Sequence, residues 1–310
     1  MVHTDLTAAS AFCSGGVGMV GYTDAGFTPA YALDKDPKAA EIFDANHRYK
    51  DGSSIVKVED VYNVKGSDIV AAVKAKTGSE VIHLLEQGPT CFDYTPLKTN
   101  GKDGGRRELM LEAIRLIDES QPLTAVIEEV PEFLLAKHKD VSDLYFERVK
   151  KMNYRSAYMV VNSIHYQSNQ MRERFIHVFV HESLKKEPVF PEPILGKERR
   201  VRDFLDIDYF FSGHFSDKIK TKNHFMCTVT TGSPKWFAKS GVRWEPTMEE
   251  LMLCMDLDPQ RYKLASGKGA QIQNFANGIP AKLTYHIGKT LIDKVLCLER
   301  DVSGLWIPKK

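Results

Sequence analysis

The sequence predicts an α/β fold with a parallel β-sheet that helices cover on both faces. Short apolar runs of about strand length alternate with helix-like stretches over roughly the first 180 residues. The apolar runs lie at residues 30–33, 81–85, 125–127, 158–161 and 175–180. Helical patterns lie between them at 37–46, 68–76 and 108–120. Strands that alternate with helices are joined by crossovers and form parallel sheets.

This pattern breaks after residue 181. Residues 182–243 are rich in Pro and Gly and carry 12 Lys and Arg against 8 Asp and Glu. The composition fits either a solvated, loop-rich insertion or a small basic lobe that binds phosphates. Helical patterns return at 247–255 and 280–296. We therefore divide the chain into a main domain (1–181), this small region (182–243) and a C-terminal segment (244–310) that returns to the main domain.

Composition excludes several classes of protein. The chain has 310 residues, and at about 150 residues per domain this suggests roughly two domains. A net charge of +1, from 42 basic and 41 acidic residues, excludes a histone-like coat. A hydrophobic share of 43% and a charged share of 27% are typical of globular proteins and exclude disorder throughout.

The cysteines favour a reducing environment. The five are odd in number, widely spaced and without a C-x-x-C pair, which disfavours a disulfide framework and a structural zinc site. The sequence has no run of about 18 apolar residues and no secretory signal at its start. We therefore expect a cytoplasmic enzyme without a membrane partner or a bound metal.

A glycine-rich loop indicates a nucleotide-containing cofactor. Residues 16–21 satisfy G-x-G-x-x-G, and a second apolar run leads to Asp34. A carboxylate in this position can bind ribose hydroxyls. Nicotinamide dehydrogenases and S-adenosylmethionine enzymes share the layout, and glycine turns also occur for purely structural reasons. The loop alone therefore leaves the cofactor open.

Three further sets of reactive side chains lie at the ends of apolar runs. In an α/β fold, ligands bind at the edge of the sheet where the strands end. Cys91 follows the run at 81–85 in a Gly-Pro loop, and a thiol there is either a nucleophile or an inert buried residue. Glu128 and Glu129 end the run at 125–127, and adjacent strand residues point to opposite faces. Arg172 and Arg174 precede the run at 175–180. If they are extended, they share a face and could clamp a phosphate or a carbonyl.

Together these motifs resemble the DNA (cytosine-5)-methyltransferase family. The resemblance covers nearly the whole chain, in the order and near the spacing of the family. The segments that carry it are 12–16, 32–36, 59–61, 88–91, 128–130, 170–174 and 276–280. It implies a Rossmann-like, doubly wound, mostly parallel sheet of the class I S-adenosylmethionine methyltransferase type. It also implies that 182–243 is a small, irregular target-recognition lobe.

The chain departs from the family pattern at several positions. Ser14 and Val17 replace loop glycines, and Thr90 replaces the second proline before Cys91. Glu129 stands in place of the asparagine that braces its loop in the family, and Asn274 stands where glutamine is common.

The resemblance implies a role for each site residue. Cys91 would attack carbon 6 of cytosine, Glu128 would bind N3 and the amino group, and Arg174 would bind O2. Arg172 would contact the backbone near the nucleophile or the flipped-out nucleotide. The residues implied for S-adenosylmethionine are Phe12, Gly16, Asp34, Asp60, Pro89, Leu109 and Asn277. The candidates for DNA phosphates are Arg199, Arg200, Arg202, Lys218, Lys220 and Lys222.

The expected partner is double-stranded DNA, bound by a monomer that flips out the target base. A bacterial or phage-infected cell with a cognate restriction endonuclease would be the usual setting for such an enzyme. The alternatives are a non-catalytic relative, an RNA-directed relative of the same family and, from the glycine loop alone, a nicotinamide-dependent oxidoreductase.

Overall fold

The structure, a computed structural model, describes residues 5–89, 108–212 and 219–309. In these ranges seven strands form one sheet in the order β3-β2-β1-β4-β5-β7-β6. The strands are β1 (Leu6–Ala11), β2 (Phe27–Asp34), β3 (Val56–Val58), β4 (Leu84–Gln87), β5 (Thr124–Glu129), β6 (Tyr154–Asn162) and β7 (Glu173–His181). Strands β1 to β5 are parallel to one another, whereas β7 is antiparallel to both of its neighbours, β5 and β6. The α/β fold with a mostly parallel sheet is confirmed, and β7 runs opposite to the other six strands of this sheet.

Eight α-helices are described. They are α1 (Val17–Ala25), α2 (Pro37–Asn46), α3 (Gly66–Thr77), α4 (Leu109–Ser120), α5 (Lys139–Val149), α6 (Met248–Cys254), α7 (Lys268–Asn277) and α8 (Ala281–Thr290). The pattern at 37–46 coincides with α2. The pattern at 280–296 becomes α8 followed by a π-helical turn at Leu291–Leu296.

Two hydrophobic clusters cover the two faces of the sheet. Ile69 of α3, Ile114 of α4 and Tyr145 of α5 belong to the cluster on one face. Tyr22 of α1 and Ile287 of α8 belong to the cluster on the other. The sheet is therefore doubly wound, and only its edges remain available for binding.

Close packing of α1 on α8 explains the last glycine of the loop motif. A Cβ atom on Gly21 would lie 2.0 Å from the carbonyl oxygen of Ala281. One turn earlier, the Thr284 hydroxyl donates to the carbonyl of Gly18 at 2.7 Å. Gly21 thus permits helix contact, and its role is in packing.

A small antiparallel sheet falls within the region predicted at 182–243 and ends one residue beyond it. Its order is β11-β10-β8-β9, with β8 (Tyr209–Phe211), β9 (Ile219–Thr221), β10 (Trp236–Lys239) and β11 (Val242–Trp244). Phe210 and Phe237 pack in one cluster with Met252 of α6 and Phe275 of α7. A hairpin of β12 (Leu298–Arg300) and β13 (Trp306–Pro308) ends the described chain. In the described ranges, no helix combines the length and the apolar character needed to cross a bilayer.

Candidate active site

A cavity of about 310 Å³ opens at the carboxyl edge of the large sheet. This volume suits a small-molecule ligand. Its walls include six of the seven residues expected to bind the cofactor and two of the four expected catalytic residues. These are Phe12, Asp34, Asp60, Pro89, Leu109, Asn277, Glu128 and Arg174. The fold therefore brings together residues from widely separated parts of the chain.

The carboxylate at the end of β2 is held in place by backbone donors. Asp34 accepts one hydrogen bond from the N–H of Ser14 and one from the N–H of Asp36, each at 2.9 Å. Burial raises the pKa of Asp34 above its usual value, and the two N–H donors oppose that rise. The first bond fixes the glycine loop to the strand end, and the carboxyl group remains part of the cavity wall.

Gly16 is not among the residues that line the cavity, and its expected contact with the cofactor stays a prediction. It begins α1 with φ +77°, and its carbonyl accepts from the Nε2 of His47 at 2.8 Å. A Cβ atom there would lie 2.5 Å from the His47 ring. Burial lowers the pKa of His47 to about 4, so the imidazole is a neutral donor at pH 7. Gly16 shapes the turn that positions its neighbours.

Glu128 and Arg174 form a buried ion pair in the cavity. The Nε of Arg174 lies 2.5 Å from Oε1 of Glu128, and both side chains are largely shielded from solvent. Strands β5 and β7 are neighbours, which brings the two side chains together. Arg174 also donates to the carbonyl of Glu173. The guanidinium stabilises the charged carboxylate, so the resting cavity offers an acceptor and a donor side by side.

Arg172 is not among the residues that line the cavity, whereas Arg174 is, and the contact expected between Arg172 and the nucleophile loop or the flipped-out nucleotide stays a prediction. Strand β7 begins at Glu173, and the alternation of strand side chains does not extend to Arg172. Its buried guanidinium donates to the carbonyl of Val229 at 3.2 Å and to that of Ala276 at 2.7 Å. Arg172 therefore joins the small lobe to the C-terminal end of α7.

Sequence reasoning missed Glu86, which also lines the cavity. Its Oε1 accepts from the hydroxyl of Ser10 on β1 at 2.5 Å. Burial raises the pKa of Glu86 to about 7, the Ser10 bond lowers it, and the charge of Glu128 adds to the rise. The available signal was a carboxylate directly after the apolar run at 81–85.

Asn274 closes the glycine loop from α7. Its Oδ1 accepts from the N–H of Gly15, and its Nδ2 donates to the hydroxyl of Tyr262, both at 2.9 Å. That hydroxyl in turn donates to the carbonyl of Gly15. A Cβ atom on Gly15 would clash with the Asn274 amide, so the contact requires glycine. The residue that departs from the family pattern thus carries a structural network of its own.

Glu129 points away from the cavity and is buried. Its Oε1 accepts from the N–H of Val130 at 2.7 Å, while Oε2 has no hydrogen-bond partner among the described residues. Burial raises the pKa of Glu129 well above its usual range, and the charge of Glu128 contributes to the rise. This environment therefore favours the protonated form of the side chain.

The expected nucleophile, Cys91, lies outside the described residues, although Pro89 just before it lines the cavity. Cys13 is the cysteine that the described cavity wall contains. Burial raises the pKa of its thiol well above the usual value, and nearby carboxylates add to the rise. A thiol in this state is a poor nucleophile.

Most of the phosphate-contact candidates already have partners within the small lobe. Arg200 lies over the ring of Phe225, with its Cζ 4.9 Å from the centroid. Lys222 pairs with Asp208 at 3.0 Å. Arg199 donates to the Asp203 carbonyl, Arg202 donates to Asn223, Lys220 lies on β9, and Lys218 is outside the described residues. Within the described ranges, no cluster of His, Cys, Asp and Glu has a metal-binding arrangement.

The sheet order and the cavity at its carboxyl edge define the class I methyltransferase fold. Residues 6–241 match the model of the C-5 cytosine-specific DNA methylase family. The chain belongs to this family.

Individual relatives agree with this assignment. The chain is 29% identical over 231 residues to the Type II methyltransferase M.AquIA of Picosynechococcus sp.. The matched region covers 71% of this chain and 88% of that protein. It is 26% identical to M.XorII of Xanthomonas oryzae pv. oryzae, over 59% of this chain and 42% of the relative, so it spans less than half of M.XorII. The solved S. pombe Dnmt2 methyltransferase matches with a TM-score of 0.65 over 93% of this chain and 98% of that one. At 16% identity that last likeness supports the fold alone.

Proposed function

We propose that this cytosine-5 methyltransferase transfers the methyl group of S-adenosylmethionine to a flipped-out cytosine in double-stranded DNA, through a covalent bond between Cys91 and carbon 6. The observation that carries the proposal is the Glu128–Arg174 pair in the same cavity as Asp34 and Phe12. Glu128 and Arg174, which could recognise the base, thus line the same cavity as Asp34, which could bind the ribose of the cofactor. The volume of the cavity suits a small-molecule ligand.

The described residues fit S-adenosylmethionine. Asp34 ends β2, where a carboxylate can accept from ribose hydroxyls, and Asp60 lies after β3 on the same wall. Backbone atoms approach closely at the glycine loop, which Asn274 holds shut. When bound, S-adenosylmethionine supplies an electrophilic methyl group on a sulfonium.

The base end of the cavity suits a cytosine. Addition of a thiolate at carbon 6 moves electron density onto N3 and O2, and donors at these atoms lower the barrier. The guanidinium of Arg174 is a fixed donor for O2. Glu128 can accept from the amino group and share a proton with N3. After methylation at carbon 5, the carbon-5 proton would pass to a water molecule, the carbon 5–carbon 6 double bond would re-form, and Cys91 would leave as a thiolate. A base inside a duplex cannot reach such a cavity, so it must be flipped out.

Sequencing of bisulfite-treated DNA tests the proposal. DNA from cells that express the wild-type protein should contain 5-methylcytosine in one sequence context. Cys91→Ser should abolish the mark, whereas Cys13→Ser should keep it, because the buried Cys13 thiol is not the nucleophile. Loss of the mark in Cys13→Ser with full retention in Cys91→Ser would overturn the assignment. A wild type that leaves DNA unmarked and marks RNA would instead favour the RNA-directed alternative.

A further inference from the structure

Glu86 is a cavity carboxyl group that the proposed mechanism does not use. It lies on β4, opposite Ser10 of β1, and its Oε1 accepts from the Ser10 hydroxyl. Its Oε2 makes no hydrogen bond to the part of the chain that the structure describes, and the side chain forms part of the cavity wall. One carboxyl oxygen is therefore available to a ligand.

The described cavity wall contains two cations, Lys35 and Arg174, and each is paired with a carboxylate other than Glu86. The guanidinium of Arg174 is committed to Glu128, and no ion pair among the described residues includes Glu86. A carboxylate shielded from water without a positive partner is costly, and burial accordingly raises the pKa of Glu86 to about 7. A cationic ligand group placed beside it would remove that cost.

The order of the strands fixes which part of the ligand lies near Glu86. Along the carboxyl edge, Asp34 ends β2, Glu86 lies on β4 and Glu128 lies on β5. If the ribose is held at β2 and the cytosine at β5, the sulfur that carries the methyl group must lie between them. In the sheet order β1 and β4 lie between β2 and β5, and Glu86 is the cavity-wall carboxyl group that these two strands contribute.

We propose that Glu86 is the counter-charge to the sulfonium of S-adenosylmethionine and selects the charged donor over the neutral product, S-adenosylhomocysteine. The inference rests on the proposed function. Glu86 positions the donor and distinguishes it from the product. One carboxyl oxygen accepts from Ser10, and the other faces the sulfur. Release of the methyl group removes the positive charge and weakens the contact, which favours exchange of product for fresh donor.

This arrangement makes the preference for the donor depend on pH. Below about pH 7 Glu86 holds a proton and cannot pair with a cation, so affinity for the donor should rise as the pH increases toward 7 and then level off. The slope can reach about tenfold per pH unit. Other ionisable groups face Glu86 from the surrounding elements. They are Cys13 in the glycine loop, Tyr22 on α1, Asp34 on β2, Glu128 on β5 and Arg174 on β7. Both ligands contact the same groups and differ in the methyl group and the positive charge on sulfur. The ratio of the two affinities therefore reports the effect of the sulfonium group alone.

Calorimetric titration of the full chain with S-adenosylmethionine and with S-adenosylhomocysteine tests the inference. Glu86→Gln can still accept from Ser10 but carries no charge. It should lose about tenfold or more in affinity for the donor and little for the product, since one pKa unit corresponds to tenfold. Glu129→Gln is the matched control, because it removes a buried carboxyl group outside the cavity wall and should keep the wild-type ratio.

The outcomes separate the inference from the proposed function. If the wild type binds both ligands and Glu86→Gln leaves their ratio unchanged, the inference fails and the proposed function stands. If the wild type binds neither ligand, both fail. The wild-type ratio measured between about pH 5.5 and pH 8.5 provides a second test that needs no variant. A ratio that does not change over this range contradicts the inference, and a rise that levels off near pH 7 supports it.

Discussion

At the scale of single residues, the site depends on how burial controls the charge of each carboxyl group. Glu128 is paired with Arg174, Glu86 opens to the cavity, and Glu129 is buried with one unpartnered oxygen. Three carboxyl groups on two adjacent strands thus have three different environments. The sequence alone places them near each other, but it cannot tell which of them is charged.

Replacement of Glu129 by Gln should change how stability depends on pH. The pKa of Glu129 is higher in the folded chain than the value of about 4.3 expected in the unfolded chain. Its contribution to stability is therefore fully present below that value and is lost as the pH rises toward the folded pKa, by up to about 1.4 kcal/mol per unit. Glu129→Gln should gain stability relative to the wild type as the pH rises from about 5 to 8, measured by urea unfolding. A difference that is constant across this range would contradict a raised pKa for Glu129.

At the scale of secondary-structure elements, the glycine motif serves packing as well as binding. Gly16 permits a left-handed turn beside His47, and Gly21 permits the contact between α1 and α8. Cofactor binding by the loop as a whole stays a prediction, which the presence of Phe12 and Asp34 in the cavity wall supports. The roles of the individual glycines depend on neighbours that are distant in sequence.

Addition of a methyl group at Gly21 should therefore disrupt the fold. Its Cβ would meet backbone atoms of α8, which cannot move aside like a flexible side chain. Gly21→Ala should lower the free energy of unfolding by about 2–3 kcal/mol, as measured by chemical denaturation. Gly269→Ala is the control, because a Cβ there meets open space and alanine favours the helix α7. Equal stability of the two variants would argue against the close contact.

Much of the fold follows from the alternation of apolar runs and helical patterns, but the ends of the strands do not. The run at 81–85 predicts a strand that stops before Glu86, whereas β4 spans Leu84–Gln87. Polar residues at the carboxyl end of a strand weaken the apolar signal at the position where sites form. Glu86 was missed for this reason. For the converse reason the sequence cannot tell that Arg172 precedes the strand that carries Arg174, since β7 begins one residue after Arg172.

At the scale of the whole molecule, a small lobe is connected to the cavity-bearing domain through buried hydrogen bonds. Arg172 donates to the carbonyls of Val229 and Ala276, and the Oε1 of Gln170 accepts from the N–H of Val229 at 3.1 Å. These contacts set the position of the lobe relative to the edge of the large sheet. The basic residues of the lobe are therefore held in a defined place next to the cavity domain.

The salt dependence of DNA binding should report the charges of this lobe. Each phosphate contact that is lost lowers the slope of log affinity against log salt by about 0.9. Lys220→Gln should show this change, because no ion pair in the described ranges involves Lys220. Lys74→Gln is the control, since Lys74 pairs with Glu80 on the main domain at 2.8 Å. Identical slopes for Lys220→Gln, Lys74→Gln and the wild type would exclude Lys220 as a phosphate contact.

The central claim is that Cys91 bonds reversibly to carbon 6 of a cytosine. The most direct measurement uses duplex DNA with 5-fluorocytosine at the target position, because fluorine at carbon 5 cannot leave as the proton does. With S-adenosylmethionine present, peptide mass spectrometry should find the modified base attached to Cys91. An intact protein without adduct after incubation with its true target, or an adduct attached to Cys13, would contradict the account.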